Sequence, residues 1–101
     1  MARIALSPEV LDDFERIFAH LERFDVEDPP ARIDEIVQAI QILVHSPRIG
    51  RPVKNGRREL VIGRGSHGTI ALHRYEPPID VVFVLAIRGQ RELGQPATRS
   101  E

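Results

Sequence analysis

Apolar residues recur at helical spacing twice in the first half of the chain. Val10, Leu11, Phe14, Ile17, Phe18 and Leu21 fall three or four apart, with Asp12, Asp13, Glu15, Arg16, Glu22 and Arg23 on the other faces. This is the pattern of an amphipathic helix with one apolar stripe. Ahead of it stand Ser7, a good cap, Pro8, suited to the first helical position, and Glu9, at the positive end of the dipole. The spacing predicts a first helix over roughly residues 8–24. The segment DVEDPP interrupts it, and Asp28 and Pro29 open a second helix whose stripe is Ile33, Ile36, Val37, Ile40, Leu43 and Val44. Ser46-Pro47 ends that helix, because the residue before a proline is pushed out of α geometry. Two such helices on a short link form an antiparallel hairpin, and each stripe needs a surface to lie on.

Elsewhere the period shortens to two. ARIAL (2–6) is a short β-compatible run, RRELVI (57–62) and TIALHRY (69–75) read as strands, and VVFVLAI (81–87) is continuously apolar, as a central strand would be. Between them lie a basic loop, RIGRPVKNG (48–56), with an Asn55-Gly56 turn, and a Pro77-Pro78 turn. The order β-α-α-β-β-β predicts an α+β fold, an antiparallel sheet with a two-helix hairpin packed on one face. Residues 1–94 are expected to form one domain and 95–101 a flexible C-terminal tail.

Composition narrows the class. A chain of 101 residues with 42 % apolar and 29 % charged residues suits one domain with one modest core. No apolar run has the length of a membrane span, and the N-terminus lacks the pattern of a signal peptide. Cysteine is absent, which removes disulfides and thiolate metal sites and suits the cytoplasm. Charge is divided unevenly. Residues 1–47 hold four arginines against ten acids, whereas residues 48–101 hold ten basic residues against five acids. An acidic or nucleic-acid partner for the second half is one reading, and a solvated basic face is the other.

GRGSHG (63–68) fits the G-x-G-x-x-G fingerprint by letter. That fingerprint works where a strand meets a helix N-terminus and backbone N–H groups converge on pyrophosphate. Here a strand is expected on both sides, and no acid closes a βαβ unit about twenty residues on. The stretch reads as a hairpin loop, and no cofactor is expected.

The four histidines, at 20, 45, 67 and 73, do not fall at metal-ligand spacing, so no metal is expected. His67 in the loop and His73 on a strand are candidates for acid–base work, and Glu59 is the single acid between Arg48 and Arg64. Glu59 reads more simply as the ion-pair partner of Arg57 or Arg74 across the sheet. Arg51, Lys54, Arg57, Arg58, Arg64, Arg74, Arg88 and Arg91 all belong to the sheet half. Guanidinium forks suit phosphate or carboxylate. With one tyrosine, Tyr75, and no tryptophan, stacking platforms for bases are nearly absent.

Taken in order, LSPE before the first helix, IGRPVKNGRREL, the HRY strand and VLAIRGQREL after the last strand resemble the RelE/ParE superfamily of type II toxin–antitoxin toxins, called plasmid stabilisation proteins. The resemblance covers roughly residues 3–94 and lies closer to ParE. It implies a small cytoplasmic bacterial protein that arrests growth and is neutralised by a cognate antitoxin wrapped around it. RelE-like members are ribosome-dependent mRNA endoribonucleases, and ParE-like members inhibit DNA gyrase. Arg58-Glu59-Leu60 resembles the ParE pattern, Gly89 stands where a RelE-like histidine is common, and Leu93-Gly94-Gln95-Pro96 occupies the stretch of the familiar terminal tyrosine.

Both readings therefore stay open. A gyrase inhibitor would need no bond-making chemistry and would dock its target through Arg88, Arg91 and Glu92. A messenger-RNA-cutting enzyme would use Arg57, Arg58, Arg74 and Arg88 to hold phosphate and Glu59 or His73 to move protons. In either case Phe18, Leu21, Phe24, Arg58, Arg64 and Arg74 are the expected antitoxin contacts, in a hetero-oligomer of toxin and antitoxin. A weakly toxic antitoxin-binding relative, and a small α+β binding domain of unrelated role, complete the alternatives.

Overall fold

In the computed structural model, residues 1–23, 28–63 and 68–89 are described. Strand β1 (Arg3–Leu6) leads into helix α1 (Pro8–Arg23) and then helix α2 (Pro29–Gln41). The chain returns through β2 (Arg51–Pro52), β3 (Arg58–Ile62), β4 (Thr69–Glu76) and β5 (Val81–Gly89). The strand order is β1-β5-β4-β3-β2.

The sheet is mixed. Strands β3, β4 and β5 pair antiparallel, as expected, but β1 lies parallel to β5. The two helices carry the chain away from β1, and β5 later fills the place beside it. Nothing local in ARIAL encodes that choice. A further small strand, β2, is cut from the expected basic loop, where Arg51 faces Glu59 and Pro52 faces Arg58.

Helix α2 opens as the Asp28-Pro29 pair predicts. Asp28 adopts φ 53°, its carboxylate accepts from the Ala31 N–H at 3.3 Å, and prolines fill the first helical positions. The α geometry stops at Gln41 and tightens into a 3₁₀ turn over Ile42–Val44, ahead of Pro47. Helix α1 begins where expected, but the Ser7 hydroxyl donates to the Leu85 carbonyl of β5 at 3.0 Å. That bond ties the helix start to the sheet.

The core lies between the hairpin and one sheet face. Val10, Ile17 and Leu21 of α1, Ile36 and Ile40 of α2, and Leu43 meet Ile62, Ala71, Val82, Val84 and Ile87. Each valine, leucine or isoleucine among them contributes about 1.5–3 kcal/mol when fully buried. On β4 the alternation resolves in one direction. Thr69, Ala71 and His73 are buried, while Ile70, Leu72 and Arg74 keep partial exposure on the face without helices. Gly50 (φ 106°) lets the 48–52 segment lie against β3, where a Cβ would stand 2.6 Å from the Glu59 carbonyl oxygen.

Candidate functional site

Strand β1 runs out at Leu6, opposite Val84, and leaves β5 without a neighbour on that side. Polar groups of the α1 segment take its place. The Ser7 N–H donates to Val84 O at 3.0 Å, Asp13 accepts the Ile87 N–H at 2.9 Å, and Arg16 donates to Ile87 O at 3.1 Å. Asp13 also accepts from Arg16 at 2.7 Å and from Arg88 at 2.8 Å, while only 4 % exposed. Burial pushes this carboxyl up, but the Ile87 amide, Arg16 and Arg88 together hold it below the ordinary aspartate value. Asp13 is thus an anionic clamp on the strand that carries Arg88.

The helical pattern sets Asp13 off the apolar stripe, yet the structure buries it. The sequence held a contrary signal, since residue 13 lies three after Val10 and four before Ile17, on the stripe that is buried.

The open sheet face combines half-buried apolar groups with arginines that have carboxylate partners. Arg51 pairs with Glu59, and Arg74 Nε lies 3.1 Å from Glu76 while its guanidinium sits 5.7 Å from the Phe83 ring centroid. Arg88 pairs with Asp13. Glu59 is therefore held by Arg51 across the β2–β3 pair, rather than by Arg57 or Arg74. Arg57 is exposed in the turn entering β3.

His73 lies elsewhere. It stands in register with Arg58 and on the face that carries the core, whereas Glu59 stands in register with Leu72 on the open face. Its exposure is 0 %, and neither ring nitrogen has a hydrogen-bond partner of good geometry. Burial pushes the imidazole pKa down, with the Arg58 charge adding to this and the Ile49 backbone opposing it. Arg58 itself donates to Gly50 O at 3.1 Å. The residues expected to cut RNA are thus divided between two faces: His73 and Arg58 on one, Glu59 and Arg74 on the other.

On the hairpin, Phe18 is half-buried in a groove with Phe14 and Ile33. Leu21 is a correction, because at 6 % exposure it belongs to the core and presents no contact surface. Phe24, Arg64, His67, Arg91 and Glu92 lie outside the described residues, as does the expected tail. The GRGSHG loop joins β3 to β4, with Ile62 in register with Thr69, so a strand follows the glycines where a dinucleotide site needs a helix.

A family model of the ParE toxin of the type II toxin–antitoxin system parDE matches residues 4–94. The chain belongs to the ParE toxin family. No curated protein matches the sequence. Among solved structures, this ParE-family toxin is similar to the chromosomal ParDE toxin–antitoxin system from P. aeruginosa, with TM-score 0.72 and 22 % identity over 88 % of this chain and 96 % of that one. It is also similar to the toxin–antitoxin complex RelBE2 from Mycobacterium tuberculosis, with TM-score 0.60 and 18 % identity over 88 % of this chain and 98 % of the other. Identities this low relate the folds alone. Among the described residues no helix is long and apolar enough to cross a membrane.

Proposed function

We propose that this ParE-family toxin acts in the cytoplasm by binding DNA gyrase rather than by cutting RNA, and that a cognate antitoxin neutralises it. The observation that carries this reading is the separation of the acid–base candidates. Cleavage at a ribose 2′-OH needs a base, an acid and unpaired cations around one phosphate. Here the imidazole is sealed in the core with a depressed pKa, and Glu59 is on the opposite face in an ion pair. The open-face arginines Arg51, Arg74 and Arg88 already have carboxylate partners. Docking a protein demands none of that chemistry. Arg88 keeps 46 % of its side-chain surface exposed at the exit of β5 and is the natural start of a target-binding segment that includes Arg91 and Glu92.

The antitoxin reading is supported by the family and by the half-buried Phe18 groove, with Arg58, Arg64 and Arg74 as further contacts. Pulse-labelling of DNA and protein synthesis after induction of the toxin alone tests the target. DNA synthesis is expected to fall first, and Glu59→Gln is expected to leave the effect intact. Early collapse of translation, abolished by Glu59→Gln, would overturn the reading in favour of RNA cleavage.

A further inference from the structure

The helical hairpin carries an apolar groove that no other part of the described chain fills. Phe14, Phe18 and Ile33 line about 410 Å³ of it between α1 and α2. Past Phe14 it continues into a second space of about 230 Å³ between β1 and α2, bordered by Leu6 and Val37. Leu6 is 47 % exposed and Val37 38 %, so both present apolar surface to this space.

The rim of the groove is acidic. Glu15 and Glu22 border it from α1, and both are exposed with no ion-pair partner among the described residues. Arg16 is committed to Asp13 and Arg32 to Glu35 at 3.7 Å, which leaves Arg23, exposed at the end of α1, as the one further arginine on the hairpin. Across residues 8–41 there are ten acids and three arginines. An occupant with acidic flanks would meet like charge on this rim, and a basic one would meet opposite charge.

We infer that the groove takes an amphipathic helix of the antitoxin whose apolar anchors are flanked by lysine or arginine seven residues apart; the inference rests on the antitoxin reading above. The spacing follows from the rim. Glu15 and Glu22 are seven residues apart on α1, a rise of about 10.5 Å at 1.5 Å per residue. A helix lying along the groove returns to the same flank after seven residues, so two cations at that interval meet both carboxylates. Anchors three or four apart between them reach Phe14, Phe18 and Ile33. The antitoxin contact on the hairpin thus differs in sign from any contact with the arginines of the sheet.

The test is a selection against the full-length toxin from a displayed library of 18-residue helical peptides, with leucine anchors fixed and all flanking positions randomised. Binders that compete with one another and are lost on Phe18→Asp are expected to carry Lys or Arg at i and i+7. On a Glu15→Lys, Glu22→Lys toxin those peptides should lose about tenfold in affinity, and a fresh selection should return acidic flanks. Acidic or unpatterned flanks on the wild-type toxin would overturn the inference. So would binders insensitive to Phe18→Asp, proline-containing extended binders, or no groove-dependent binder at all. The selection reads binding only, so a failure to arrest growth would fault the proposed function and leave this result standing.

Discussion

Replacing Asp13 with alanine isolates the clamp between α1 and β5. The substitution removes the acceptor of the buried Ile87 N–H and the partner of both Arg16 and Arg88. A buried amide left without a partner costs about 1–3 kcal/mol. The two arginines are 41 % and 46 % exposed, so their charges turn to water and the loss of each pair adds less than about 1 kcal/mol. The expected cost is therefore about 2–4 kcal/mol. For a domain of this size each kcal/mol lowers Tm by about 4–8 °C, so the variant should melt about 10–25 °C lower. Asp13→Asn keeps an oxygen for the Ile87 N–H but sets an NH2 where Oδ1 accepts from Arg16 and Arg88; those exposed arginines turn to water, and the expected cost is about 1–2 kcal/mol. Urea and thermal unfolding followed by circular dichroism measure both. Asp13→Ala within about 0.5 kcal/mol of wild type, or Asp13→Asn as costly as Asp13→Ala, would refute the reasoning.

Other expectations follow from the same geometry. Gly50→Ala must hold a Cβ against the Glu59 carbonyl at positive φ and should cost about 2–3 kcal/mol in urea unfolding. Acid should weaken the fold in two windows. His73 has a folded pKa below 6.5, so stability declines as pH falls from about 6.5 toward that value, and His73→Leu should remove this slope in pH-dependent melting. Asp13 has a folded pKa below 3.8, so its contribution is full above that value and is lost only as pH falls below it; Asp13→Asn should flatten that lower limb. Phe18→Asp should lower Tm by only about 4–8 °C, because the side chain is half-buried and worth about 1 kcal/mol, and should weaken antitoxin binding at least about thirtyfold in calorimetry.

Much of the fold is legible because its elements announce themselves locally. The two stripes, the Asp28-Pro29 start and the turn chemistry at Asn55-Gly56 each depend on neighbours within a few residues, and the structure places elements there. What the sequence withholds is pairing at a distance. The parallel seat of β1 beside β5 joins residues almost eighty positions apart, and ARIAL would read the same in either orientation. The faces of β4 were ambiguous for a different reason. Ile70 and Leu72 are as apolar as Ala71, so alternation alone does not reveal that the histidine side is the buried one. Asp13 was missed because polarity outweighed position. An acid on a buried helical stripe needs a partner, and its partner here is a backbone amide in β5, which no composition reveals. The arginines were legible as a group, but their pairing with Glu59, Glu76 and Asp13 was not.

The central claim is that this toxin inhibits gyrase by docking and performs no cleavage. The most direct measurement is supercoiling of relaxed plasmid by purified gyrase with increasing amounts of the folded toxin. The account predicts progressive loss of supercoiling, restored by antitoxin and preserved in Glu59→Gln. Unimpaired supercoiling in the presence of excess folded toxin that still arrests growth would contradict it.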